Sequence, residues 1–328
     1  MPARLKFVAG LAAVSSIYTV LLFEPAVATA QTYPTRPIRI VVPYPPGGAA
    51  DNTARVLQPK LIDALGQQIV LDNRSGASGI IGADIVAKSA ADGYTLLHDA
   101  SAFTVNPALR KLPFDPLKDL APVAMLMRSP NMLVLHPSVA VSTTREFIEL
   151  VRAQPGRITM GSSGYGSAPH MAGELFMSMT KTKLLHVPYK GGGLVYADLL
   201  GGQLHLFFGS IASALPHVQG GKLKGIALTS AQRSRSAPTI PTLNESGVPG
   251  FEIYEWNALY APGGTPQAIL MKLNVTINKI IDSPDVQQRY FQLGAEAAPM
   301  TSVELGAYVR GEMAKWAKTV KEMGIKSE

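Results

Sequence analysis

Short β-branched runs alternate with stretches of helical length along most of this chain, and the links between them are rich in glycine and serine. Ile38 to Val42, Ile69 to Leu71 and Tyr94 to His98 read as strands, separated by helical patterns over about 51–65 and 80–90. Met132 to Leu135, Ile158 to Met160, His186 to Tyr189, Leu204 to Phe208 and Leu223 to Thr229 continue the series. Between them, helices are predicted from Thr143 to Ala153, from about His170, after Gly193 and after Ser210. The tail is helical, with starts at Thr265-Pro266, Pro284 and Ser302. Repeated strand, short loop and helix restrict the chain to an α/β architecture with parallel pairing. Two such blocks, joined by strands near 128–135 and 256–261, predict two lobes linked by two crossings, with both chain ends in the first lobe.

Export is expected from the N-terminus. Arg4 and Lys6 precede a short, largely apolar run from Phe7 to Phe23, and Ala28-Thr29-Ala30 offers small residues for cleavage after Ala30. The run is interrupted by Ser15, Ser16, Tyr18 and Thr19, whereas a membrane span needs about 20 apolar residues. With no cysteine, the chain has no disulfides, thiolate metal ligands or lipoprotein anchor. The mature protein, 298 of the 328 residues, must therefore be held together by its core, and it is long enough for two lobes. The net charge of +7 becomes +6 once Arg4, Lys6 and Glu24 are removed. The cations are scattered, so no nucleic-acid partner is indicated, while mild attraction for anions is.

Five loops occupy the same position, after a strand and before a helix: 44–51, 75–79, 161–169, 190–193 and 209–210. In an α/β sheet these loops gather at the carboxyl ends of the strands, where ligands bind. Glycine allows the main chain to approach a ligand, and the following helix start adds unpaired N–H donors with a positive partial charge. That combination suits an anion. Any one loop is as readily a plain turn as a site; five of them divided between two lobes favour a site. Ser162, Ser163 and Ser167 fit either ligand donors or helix caps. His170, following a Ser/Gly loop, fits either a ligand contact or a structural role. Asp51 and Asp198 stand where capping is usual.

Catalytic signatures are missing. Tyr165 and Ile80 stand where a nucleophile elbow around Ser163 or Ser78 would need glycine. Pro169 replaces the last glycine of a dinucleotide fingerprint, and Lys222 is not followed by Ser or Thr. The six histidines lack metal-ligand spacing. No catalytic residue, metal or cofactor is therefore assigned, and an exported hydrolase is kept only as the less favoured alternative reading.

Ordered motifs along the mature chain carry a family resemblance. They include Val42-Pro43-Tyr44 with Gly47-Gly48 and Asp51; Asn73-Arg74 with Gly76 and Gly79; and Asp92-Gly93-Tyr94-Thr95-Leu96. Asn106-Pro107, Gly166-Ser167 with His170, the run from His186 to Gly191, Pro241-Thr242 and the run from Ala261 to Pro266 follow. Together they resemble the solute receptors of tripartite tricarboxylate transporters, the Bug family. The resemblance implies a two-lobed type II periplasmic-binding-protein fold with mixed, mostly parallel sheets, helices on both faces and a ligand cleft between the lobes. It implies a periplasmic, monomeric, non-enzymatic receptor for a small organic carboxylate, with transporter membrane subunits, or alternatively a sensor membrane protein, as partner. The lobes are expected at 31–128 plus 257–328 and at 129–256. The ligand-binding residues implied are Tyr44, Pro46, Gly47, Gly48, Asp51, Gly76, Ala77, Ser78, Ser101, Ala102 and Thr104. From the second lobe come Ser162, Ser163, Gly166, Ser167, His170, Gly191 and Gly209. The chain departs from the family at Gly209, where an acidic residue is frequent, and at Leu194-Val195, where Pro-Ala is usual. The first departure suggests extra room for a larger, aromatic or dicarboxylic acid; the second is expected to matter little.

Overall fold

The computed structural model describes Met1 and residues 33–325, apart from Gly48 and Lys190. The export signal and its cleavage point lie outside the described residues. The first block comprises β1 (Ile38–Val42), α1 (Ala49–Leu65), β2 (Ile69–Asn73), α2 (Ile80–Ala87), β3 (Thr95–Ala100) and α3 (Ala102–Leu109). A long strand, β4 (Leu120–Leu135), leads to α4 (Thr144–Ala153), β5 (Thr159–Ser162), α5 (Ala168–Thr180) and β6 (Leu185–Pro188). Next come α6 (Gly192–Leu200), β7 (Leu206–Ser210), α7 (Ile211–Gln219) and β8 (Lys224–Leu228). The chain returns through β9 (Tyr254–Pro262) and ends with α8 (Gln267–Ile281), α9 (Pro284–Gln292), β10 (Glu296–Ala297) and α10 (Ser302–Met323).

The strand order β2-β1-β3-β9-β4-β7-β5-β6 divides at β4. β1 pairs in parallel with β2 and β3, and β5 with β6 and β7, as strand–loop–helix units require. Every ladder made by β4 or β9 is antiparallel. Antiparallel pairing therefore takes a larger share than the sequence motifs suggest, because the two connecting strands run against both blocks. β4 pairs with β9 as far as Pro130–Tyr254 and with β7 from Asn131–Ser210 onward. One unbroken strand thus belongs to two sheets. Its prolines fit this role: Pro122 stands at a register shift and Pro130 where one partner gives way to the next.

Period-two alternation sends Ile38, Ile40 and Val42 to one side of the first sheet, against Leu57, Leu61 and Ile277, and Val41 to the other, with Leu97, Trp256 and Tyr260. The second sheet packs Leu133, Leu135 and Phe208 against Phe147 and Phe176. α10 takes part in both cores. Leu305 and Val309 join Trp256 and Tyr260, while Trp316 and Val320 join Phe147 and Phe176. The C-terminal helix therefore straps the two α/β halves together.

Candidate functional site

The loop after β1 is held by a single buried carboxylate. Asp51 accepts from Gly47 N at 2.9 Å, Arg55 Nε at 2.7 Å and Asn73 Nδ2 at 3.0 Å. Asn73 also donates to the Tyr44 carbonyl. Burial alone would raise the Asp51 pKa, but the bonds from Arg55, Gly47 and Asn73 outweigh it and hold the carboxyl below its ordinary value. Asp51 thus ties the 44–51 loop to the end of β2 and the first turn of α1. Pro46 and Gly47 are exposed beside it, and Gly48 lies outside the described residues.

The next loop carries backbone strain. Ala77 and Ser78 have φ of 47° and 54°, between Gly76 at 141° and Gly79 at 98°. Left-handed non-glycine residues are unfavourable, and such strain persists only where the surroundings impose it. Here Asn106 on α3 grips the loop, its Nδ2 donating to the Ser78 carbonyl at 2.9 Å. The bend delivers the chain directly into α2, whose first N–H, on Ile80, donates back to the Ala77 carbonyl. α3 begins nearby at Ser101, with Ala102 and Thr104 buried and the Thr104 hydroxyl donating back to the Ser101 carbonyl.

In the second half, the loop between β5 and α5 is organised around aromatic rings. His170 stacks on His186 with 4.3 Å between centroids, and Tyr165 sets its edge against both. Gly166 N donates to His170 Nδ1, so the ring proton is assigned to Nε2, which faces Glu174 Oε1 at 3.4 Å. Burial, with His170 alongside, pushes the His186 pKa down to about 4. The Ser162 hydroxyl lies 2.6 Å from His186 Nε2 and also accepts from Gly164 N. This serine–histidine contact is fully buried at Ser162 and braces the loop. Ser167 caps α5 by accepting from His170 N, and its hydroxyl donates to the Gly164 carbonyl. His170 Nδ1 and the polar atoms of Asp51 are thus engaged in holding loops, while His170 Nε2 faces Glu174 on its own helix.

Gly166 brings the two halves together. A side chain there would lie 3.1 Å from Leu109 and 3.8 Å from Val105, both on α3. A Cβ on Gly192 would lie 3.6 Å from Ser163 Oγ, and one on Gly191 would meet open space. Gly209 corrects the expectation of extra room. A Cβ there would collide with the Tyr196 hydroxyl, which is buried without a hydrogen-bond partner among the described residues. The phenol fills the place an acidic side chain would take. Leu194 is exposed, whereas Val195 is fully buried and packs against Gly161.

Sequence reasoning missed Asn73 and Asn106, which hold the loops, and the acids Asp99 and Glu255. Tyr44 Oη donates to Asp99 Oδ1 at 2.7 Å, and Ser101 Oγ to Glu255 Oε2 at 3.1 Å. Their one signal is an acid inside an apolar strand. Two concavities have other linings: one of about 390 Å³ between α1 and α9, beside Asn52 and Arg55, and one of about 200 Å³ beside Arg128 and Glu252. Neither is lined by any of the candidate residues.

Comparison with known proteins identifies the family. The family described as "Tripartite tricarboxylate transporter family receptor" matches residues 53–325. The protein BugT of Bordetella pertussis is 38% identical over 319 residues, covering 96% of this chain and 98% of its own length. Among solved structures, R. palustris Rpa4515 with adipate superposes with a TM-score of 0.80 at 35% identity, covering 90% of this chain and 99% of that one. MatC from Rhodopseudomonas palustris, with bound malate, gives 0.75 at 31% identity, covering 88% and 100%. The chain therefore belongs to the tripartite tricarboxylate transporter receptor family, whose solved members share its two-lobed α/β fold.

Proposed function

We propose that this solute-binding protein is a periplasmic receptor that closes its two lobes, 31–128 plus 257–328 and 129–256, around a small organic carboxylate. It would then pass the ligand to the membrane subunits of a tripartite tricarboxylate-type transporter. The observation that supports this most is the meeting of Gly166 with Val105 and Leu109, which sets the second-lobe loop against the helix that starts at Ser101. In this reading a groove between them would offer main-chain amides, serine hydroxyls and helix starts from both sides. Such groups favour a small anion without requiring a cationic side chain, and each contributes about 0.3–2 kcal/mol according to burial. Completion of the site only on closure gives the ligand a higher affinity for the closed state, and that difference drives the motion.

Adipate and malate, bound by the two relatives, are both dicarboxylates. A dicarboxylate or an aromatic acid is the ligand class proposed here, with the Tyr196 hydroxyl as a hydrogen-bond donor in the part of the groove formed by the second lobe. Thermal unfolding of the mature chain with adipate, malate and benzoate tests this reading. A bound acid is expected to raise the melting temperature and to be recovered unaltered, stabilising by about 2.7 kcal/mol at 100-fold excess over Kd. Failure of a wide carboxylate panel, alongside a clear shift with a cationic or neutral solute, would overturn it.

A further inference from the structure

We propose that Asp99 and Glu255 act as one proton-holding pair at this cleft, so that an organic anion is bound together with a proton. The proposal rests on the carboxylate-receptor reading above. Asp99 is the next-to-last residue of β3, and Glu255 lies on β9, opposite Ser129, where β4 is about to leave the first sheet. Asp99 Oδ1 accepts from Ala100 N at 2.7 Å, and Glu255 Oε2 accepts from the neighbouring Ser101 hydroxyl. Consecutive residues of one turn thus serve the two carboxyl groups. Asp99 is buried and Glu255 partly so.

Among the described residues, no Lys, Arg or His forms a hydrogen bond or ion pair with either acid. The groups that face them are neutral. Tyr44 comes from the β1–α1 loop, Tyr260 from β9 with Tyr308 of α10 behind it, Ser101 from the start of α3 and Gly79 from the start of α2. Two desolvated carboxyl groups with no counter-charge do not both ionise near neutrality. Burial pushes each up to about 7, and the charge on Asp99 adds to the effect on Glu255. His98, the next residue back along β3, is held neutral by burial down to about 4, so it does not titrate in the same range.

The position of the pair gives it consequence. A Cβ on Gly79 would lie 3.1 Å from both Asp99 Oδ1 and Tyr44 Oη, and Ser101 is the N-cap of α3. Tyr44 and Ser101, two of the residues proposed to receive the ligand, are therefore the ones bonded to the pair. A carboxylate held there adds a further negative charge, which favours retention of the proton; by reciprocity the proton favours the ligand. Affinity should then fall as pH rises through the range in which the pair ionises.

Two measurements on the mature chain test this. Potentiometric difference titration without ligand should show the wild type holding about one proton more than the Asp99→Asn, Glu255→Gln double variant near pH 7. Identical curves would overturn the pair. Calorimetric titration with adipate, malate and benzoate, at about pH 6 and about pH 8 and in buffers of different ionisation enthalpy, should show uptake of up to about one proton and a fall in affinity of up to about tenfold per pH unit. The double variant should lose this pH dependence while keeping a cooperative melt, and each single variant should lose part of it. Binding with no proton uptake and no pH dependence would overturn the linkage. If none of the acids binds, it is the carboxylate-receptor reading that fails, and the difference titration still decides the pair.

Discussion

Replacing Asp51 by alanine would remove the shared acceptor of Gly47, Arg55 and Asn73. A loss of about 1–3 kcal/mol in urea denaturation is expected, together with weaker ligand binding because the 44–51 loop is released. The pH signature follows from its lowered pKa: the stabilisation is complete above the unfolded value and is lost as pH falls through the folded one. Asp99 has the opposite sign. Its folded pKa of about 7 lies above the unfolded value, so it disfavours the native state progressively as pH rises from about 4 to about 7. His98 and His186, both depressed to about 4, act the other way between about 4 and about 6.5, so the wild-type profile is a compromise. The difference isolates Asp99: the melting temperature of Asp99→Asn relative to wild type should climb between about pH 5 and about pH 8, and a constant difference would refute the assignment. Gly166→Val tests the lobe contact. With φ at 76° and Leu109 3.1 Å from the new Cβ, ligand affinity should drop by about tenfold or more in calorimetry.

Among the elements, α10 carries the clearest expectation. Its capping box pairs Thr301 with Glu304, while fifteen residues downstream Trp316 is buried with Phe147 and Phe176. Trp316→Ala should cost about 3–5 kcal/mol, whereas Thr301→Ala should cost only about 1 kcal/mol, both read from urea midpoints. Strands and helices with undisturbed periodicity were legible in the sequence: β1 and α4 begin and end within a residue of expectation. β4 was legible only over about 128–135, because Pro122 breaks the apolar pattern of its first half and tertiary pairing overrides that break. α3 escaped because Pro107 and an uncapped start hide a helix that is buried on nearly every side. The site loops were legible as glycine-rich links, but the residues that fasten them, Asn73, Asn106 and Glu255, come from other elements. No local pattern announces a contact spanning 22, 28 or 154 positions.

For the whole molecule, the expected motion is a hinge. Small-angle scattering of the mature chain should show a smaller radius of gyration with saturating ligand; an unchanged profile would count against closure. The strand that belongs to both sheets and the helix that straps both cores limit where such a hinge can bend, since pairing is shared up to Pro130 and resumes at Asn131. They also make each half an incomplete fragment. A gene split after residue 128 would leave the first product without β9, which covers the edge of β3, and without the Trp256 and Tyr260 of its own core. Exchange of halves between relatives is thereby discouraged, and new ligand preferences in such a scaffold are left to arise by point changes in the loops.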